Sequence, residues 1–187
     1  SEESWEAFET GLKGHRERSF VVSSVPALGP RLSLIERAMK LTRRMENYED
    51  DLRDQWQSYA HRDEWRRLLA ALMEVHDAEG HALTVLSGEI HLAMRGTMRT
   101  ATSPLHQLVA SGISHPPPPK AMPVGLSLLA RLGEAPLKGH PIRLHPLPGQ
   151  RRTYTAERNY LVLSRRDGEW GASWQLERSG ATERLPI

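Results

Sequence analysis

The chain contains no cysteine, which excludes disulfides, zinc–thiolate centres, iron–sulfur clusters and a thiol nucleophile. It has no apolar run approaching 18 residues, and its mean hydropathy is −0.53, so no segment reads as a membrane-spanning helix. Aromatic residues are scarce at 6%, with only two phenylalanines. The opening Ser-Glu-Glu-Ser-Trp-Glu has neither the basic start nor the apolar centre of a signal peptide, so a cytoplasmic location is expected. What is present is ordinary for a globular protein: 187 residues, 39% apolar and 26% charged. That length predicts one domain spanning 1–187 with enough interior to fold without a covalent staple.

Charge is distributed unevenly. Residues 1–89 carry 12 basic and 17 acidic side chains, residues 90–166 carry 11 and 2, and residues 167–187 carry 2 and 4. Most of the nine histidines fall between His61 and His145. A basic, His-rich stretch suits an anionic ligand such as a phosphate ester, or a nucleic acid. Equally it suits a solvated face or a surface docked on an acidic partner. Within 90–166 only Tyr154 and Tyr160 are aromatic. Stacking platforms are therefore few, and nucleic-acid binding ranks last.

Patterning predicts alternating strands and helices. Arg18–Val25 is a β-branched run closed by Pro26, Gly29 and Pro30, and reads as a buried, central strand. Ser33 and Glu36 have capping-box spacing ahead of Leu34, Ala38, Leu41 and Met45, a helix of about 12–15 residues. Trp65, Leu68, Leu69, Leu72 and His76 line one face of a second helix, with Gly80 as its stop. Ala82–Leu86 is too short for a helix and reads as a central strand. Two strands joined by helices imply a right-handed crossover and parallel pairing. Further strands are expected around 94–100 and 105–110, an extended Pro-rich loop at 115–123, and a short helix from Gly125 to Leu132. Asp167-Gly168 between 158–165 and 169–177 is a strong hairpin signal. The fold class is thus α/β, a mixed sheet with helices and a C-terminal antiparallel hairpin.

The best local candidate for chemistry is Ser87-Gly88-Glu89-Ile90-His91. A strand ends at a glycine, and a carboxylate and an imidazole follow two residues apart. Strand carboxyl ends are where open α/β sheets place ligands. Glu89 can supply hard oxygen ligation or proton transfer, and neutral His91 can bind Mn, Fe or Zn. The alternative is a strand-end histidine that only satisfies backbone groups. A second candidate is Asp54 through Tyr59. Trp56 and Tyr59 share a face on a helical turn, and read first as core anchors. Asp50, Asp51 and Asp54 can ligate a metal or serve a helix dipole. No Walker A loop and no Gly-x-Ser-x-Gly elbow occurs.

Taken in order, these motifs resemble those of the PhoD-like phosphatases, within the calcineurin-like metallophosphoesterases. Asp54-Gln55-Trp56-Gln57-Ser58-Tyr59 followed by Arg66-Arg67-Leu68-Leu69 is similar to the family's Asp-x-Trp-x-Gly-Tyr and leucine-rich helix. Leu83 through His91 resembles the strand that ends in Ser/Thr-Gly-Asp-x-His. Leu108–Ser114 and the hairpin from Asn159 through Trp174 resemble the strands that follow. The resemblance covers most of 18–176 and implies a two-sheet α/β sandwich with a dinuclear metal site of Mn, Fe, Ca or Zn. It implies hydrolysis of phosphate mono- or diesters, with His91 and Glu89 as catalytic or metal-site residues and Asp54, Trp56 and Tyr59 as further candidates. Glu89 stands where the family has aspartate, Gln57 and Ser58 replace its acid–glycine pair, and Arg62 is one residue off its arginine. The family's earlier ligand motifs, Asp-x-His, Gly-Asp-x-x-Asp and Gly-Asn-His-Asp/Glu, do not occur in this chain. The expectation is therefore the C-terminal half of such an enzyme, inactive alone, weak in metal binding, and associating with itself or with an N-terminal half. A non-catalytic interaction module that keeps the fold is the alternative reading.

Overall fold

The computed structural model describes residues 1–14, 17–30, 55–88, 91–114, 116–119 and 121–187. The chain starts with α1 (Glu2–Leu12), capped by Ser1, whose hydroxyl accepts from Ser4 N. Trp5, Phe8 and Leu12 all turn toward the core, three and four residues apart. Strand β1 (Arg18–Ser23) follows. A 3₁₀ turn at Tyr59–His61 leads into α2 (Arg62–His76), which buries Trp65, Leu68, Leu69, Leu72, Val75 and His76. This is the apolar face its sequence spacing predicts. The helix stops at His76, and Gly80 at φ +69° turns the chain toward the next strand. The expected helix from Ser33 lies outside the described residues.

Strands β2 (Ala82–Ser87), β3 (Met94–Met98) and β4 (Leu105–Val109) come next. After them come α3 (Ala121–Ala130), β5 (Glu134–Leu137) and β6 (His140–His145). The hairpin β7 (Asn159–Arg166) and β8 (Glu169–Leu176) is followed by two short strands, β9 (Gly180–Ala181) and β10 (Leu185–Pro186). The first sheet has the order β1-β2-β4-β3-β6-β5, and the second has β10-β8-β7 with β9 also on β8. Strands β1, β2 and β4 run parallel, with Phe20 opposite Thr84 and Thr84 opposite His106. The remaining pairs of the first sheet are antiparallel. The molecule is therefore mixed α/β, with a mixed sheet and a separate antiparallel hairpin sheet.

Side chains alternate across the first sheet. Val21, Leu83, Val85, Leu105 and Met98 face α1 and α2 around Trp65 and Leu69. Met94 and Val109 meet Leu126 and Ala130 of α3 on the same side. The opposite face presents Leu86, Leu108 and Ala110 to Ala172, Trp174 and Leu176 of the second sheet. The hairpin turn has positive φ at both central residues, 51° at Asp167 and 86° at Gly168, as the Asp-Gly pair predicts.

Three expectations need correction. Strand β1 is not buried or central. It ends the described sheet, is mostly half-buried, and leaves Val22 78% exposed. Its neighbour β2 is the fully packed strand, because it is paired on both sides. The helix expected at 125–132 spans 121–130, so the Pro-rich loop stops before 121, and Pro123 sits in the first turn where a missing N–H is harmless. The hairpin β5–β6 is not among the expected elements; Pro136 lies in the last strand of the described sheet, and both Pro136 and Pro141 fall at the register shift between the two strands, where proline is tolerated.

Candidate functional site

The carboxyl ends of β1, β2 and β4 lie side by side and bring Ser24, Gly88 and Ser111 together. A Cβ at Gly88 would sit 3.3 Å from the Ser24 carbonyl oxygen and 3.9 Å from Ser111 Oγ. Glycine fits here because a neighbouring backbone comes close, and no positive φ is involved. The chain then passes through residues 89 and 90 to His91, which is half-buried and left-handed at φ 55°. Such a backbone costs a non-glycine residue on the order of 1 kcal/mol. What holds it is Gly112, just past β4. A Cβ there would be 3.1 Å from His91 Cα and 3.3 Å from His91 Cβ. On the far side, Ala93 exchanges two backbone hydrogen bonds with Thr155, both 2.9 Å. His91 thus lies against the end of β4, two residues before the bridge from Ala93 to Thr155.

Buried polar side chains brace this edge from both faces of the sheet. On the helix side Gln107 is fully buried. Its Oε1 accepts from Ala27 N at 2.9 Å and Leu28 N at 3.1 Å, and its Nε2 donates to Ser87 Oγ at 2.8 Å. Gln57 Nε2 donates to Pro26 O at 2.9 Å, and Trp65 Nε1 to Ala27 O at 2.7 Å. Every polar group of the turn after β1 that these side chains reach is satisfied without water. On the other side Asn159, at the start of β7, grips Ser111 with both ends of its amide. Its Nδ2 donates to Ser111 O at 2.7 Å and its Oδ1 accepts from Ser111 N at 3.1 Å. Trp174 Nε1 donates to Val109 O at 2.8 Å. These hydrogen bonds brace the edge, and such bracing positions side chains well.

Of the residues predicted for the site, His91 lies on this edge. Glu89 and Asp54 lie outside the described residues. Trp56 belongs to the helix-side core, its ring 6.5 Å from that of Trp5, which agrees with its reading as an anchor. Tyr59 opens the 3₁₀ turn before α2. Arg62 is used structurally, 3.6 Å from Glu134 of β5. Among the described residues no group of three or more His, Asp or Glu is placed to hold a metal ion. They contribute one imidazole to this edge, and a two-ion centre is not composed from them alone.

Sequence reasoning missed Gln107, Gln57 and Asn159. Gln107 had one visible signal, an amide inside the apolar run of β4. Asn159 had none, because its partner Ser111 is 48 residues away. No family model matches the chain, and comparison with curated proteins and with solved structures likewise finds no match.

Proposed function

We propose that this chain is part of a metal-dependent phosphoesterase of the PhoD-like type, hydrolysing phosphate mono- or diesters once the missing metal ligands are supplied. The observation that carries the reading is His91, held left-handed on Gly112 at the carboxyl edge of three parallel strands. Strain retained at a ligand-facing edge is a usual mark of a pre-organised site. Glu89, two residues before it, is the proposed companion carboxylate. In the complete enzyme the metals would supply Lewis-acid polarisation of the phosphoryl oxygens. This chain's part is to hold one imidazole in a fixed position on a braced edge. An N-terminal half or a second copy completes the assembly, and the fold would be a partial metallophosphoesterase sandwich.

The test is hydrolysis of p-nitrophenyl phosphate and its bis ester across Mn, Fe, Ca and Zn. The chain alone is expected to stay near background. Joined to upstream sequence carrying Gly-Asn-His-Asp/Glu, it is expected to turn over, with His91→Ala lowering the rate at least about tenfold. Robust turnover by the chain alone that survives His91→Ala would show the site to be elsewhere.

A non-catalytic interaction module is the second reading. It is favoured by Val124 and Leu128, one turn apart on α3 and 47% and 64% exposed, an apolar stripe of the kind a partner covers.

A further inference from the structure

The face of the first sheet that meets the hairpin sheet changes character along its strands. It is apolar at Leu86, Leu108 and Ala110, and polar toward the amino ends of β1, β2 and β4, where the Arg18 guanidinium lies. There an open cleft of about 650 Å³ lies between the sheets, with Arg18, Thr84 and His106 on one wall and Arg165 and Trp170 on the other. We propose that this cleft binds a small oxyanion of the phosphate type.

Two side chains in the wall lack what burial demands. Arg18 is half-buried, and its one hydrogen bond among the described residues runs from Nη2 to Thr84 Oγ1 at 2.5 Å. Its Nε is buried with no partner, and no carboxylate of the described residues pairs with it. Its remaining contact is the face of Phe20, 5.3 Å from the guanidinium carbon. A partly buried guanidinium without a counter-charge is costly, and an anion in the cleft would remove that cost. His106, opposite Thr84 on the next strand, makes no side-chain hydrogen bond among the described residues, and its Nδ1 is buried without a partner.

The charges that act on His106 are of one sign. Burial first, then Arg18, Arg95, His76 and His145, push the His106 imidazole down to about 4. Across the cleft the exposed Arg165 is fixed by donating from Nε to Gly168 O at 3.2 Å. The acids at the rim, Glu17 and Glu169, are both exposed. Guanidinium groups on two walls offer the charge-assisted donors that a tetrahedral oxyanion accepts. A phosphate ion fills only part of the cleft. Trp170, whose ring stands edge-on to Phe20 at 5.0 Å, leaves an apolar wall for a small organic substituent.

The site stands independently of the proposed hydrolytic role, because it lies at the opposite ends of the same strands from Gly88 and His91. The experiment is an NMR titration of the whole chain with inorganic phosphate and, separately, phenyl phosphate, at ionic strength held constant with chloride. Saturable shifts of the Arg18 Nε–H and the His106 ring are expected at millimolar ligand, together with a His106 titration moved up from about 4. Arg18→Met should weaken binding about tenfold or more and Arg165→Met about threefold. Arg151→Met, at a residue that does not line this cleft, should leave it unchanged. Tighter phenyl phosphate would assign an organic ester, and equal affinity the free ion. Shifts that grow linearly without saturating would overturn the proposal. So would binding unchanged in Arg18→Met, or in Arg165→Met if the former does not fold.

Discussion

Gly112 and His91 share one tight backbone contact, and both are left-handed, at φ 82° and 55°. Neither conformation is explained by its local sequence. Each exists because the end of β4 lies against the chain leaving β2, and only a residue without a Cβ lets them approach.

Gly112→Ala therefore meets two obstacles, the positive φ and a Cβ contact of 3.1 Å with His91 Cα. A loss of about 2 kcal/mol is expected. Urea denaturation should show a lowered midpoint with an unchanged slope. A stability equal to that of the parent would mean the approach is not needed.

Gln107→Leu keeps the size of a fully buried side chain but strands the amides of Ala27 and Leu28 and the Ser87 hydroxyl. With unsatisfied buried groups costing about 1–3 kcal/mol each, a total near 3 kcal/mol is expected after partial relaxation. Amide exchange at Ala27 and Leu28 should accelerate far more than at Leu69.

Asp77, just past α2, holds the loop between β3 and β4. Burial alone would raise its carboxyl, but the hydroxyls of Thr100 and Thr102 and the N–H groups of Ala101 and Thr102 outweigh that and hold it at about 2. A depressed carboxyl stabilises the fold in full above its unfolded value of 3.8 and ceases to do so as pH falls through about 2. For this partly solvated group the contribution is about 1 kcal/mol after screening. The stability difference between the parent and Asp77→Asn should shrink from pH 5 to pH 2, and a difference that stays constant would refute the assignment.

His106 acts in a higher window with the same sign. The unfolded chain takes up a proton near its ordinary 6.5, whereas the folded imidazole resists until about 4. Stability should therefore be complete above pH 6.5 and fall by about 2 kcal/mol as pH drops toward 4. His106→Gln should flatten that slope, as read from urea midpoints at several pH values.

Self-association is expected at micromolar concentration, with Val124 and Leu128 covered. Light scattering should give a dimer or larger, and Leu128→Glu should shift it to monomer. A clean monomer in the parent would set this prediction aside.

Some of this molecule was legible in its sequence because the signals are local. The spacing of Trp65, Leu68, Leu69 and Leu72 needs only a helix to become a buried face. Asp167-Gly168 needs only the conformational freedom of its own residues to become a hairpin turn, and Ala82–Leu86 is apolar enough to be a strand wherever it pairs. The helix α1 was not among the expected elements, although Trp5, Phe8 and Leu12 stand at helical spacing. What tertiary structure alone decided is what depends on neighbours distant in the chain. It left β1 at the end of the described sheet with Val22 exposed, and it made strands of segments containing Pro136 and Pro141. It set His91 against Gly112 and gave Asn159 the task of holding Ser111. The order of strands does this: parallel β1, β2 and β4 carry residues from three separate segments to a common edge, and the same pairing brings Arg18, Thr84 and His106 together at the other end. Sequence patterning specifies which face of a strand is buried, but only pairing specifies what lies beside it.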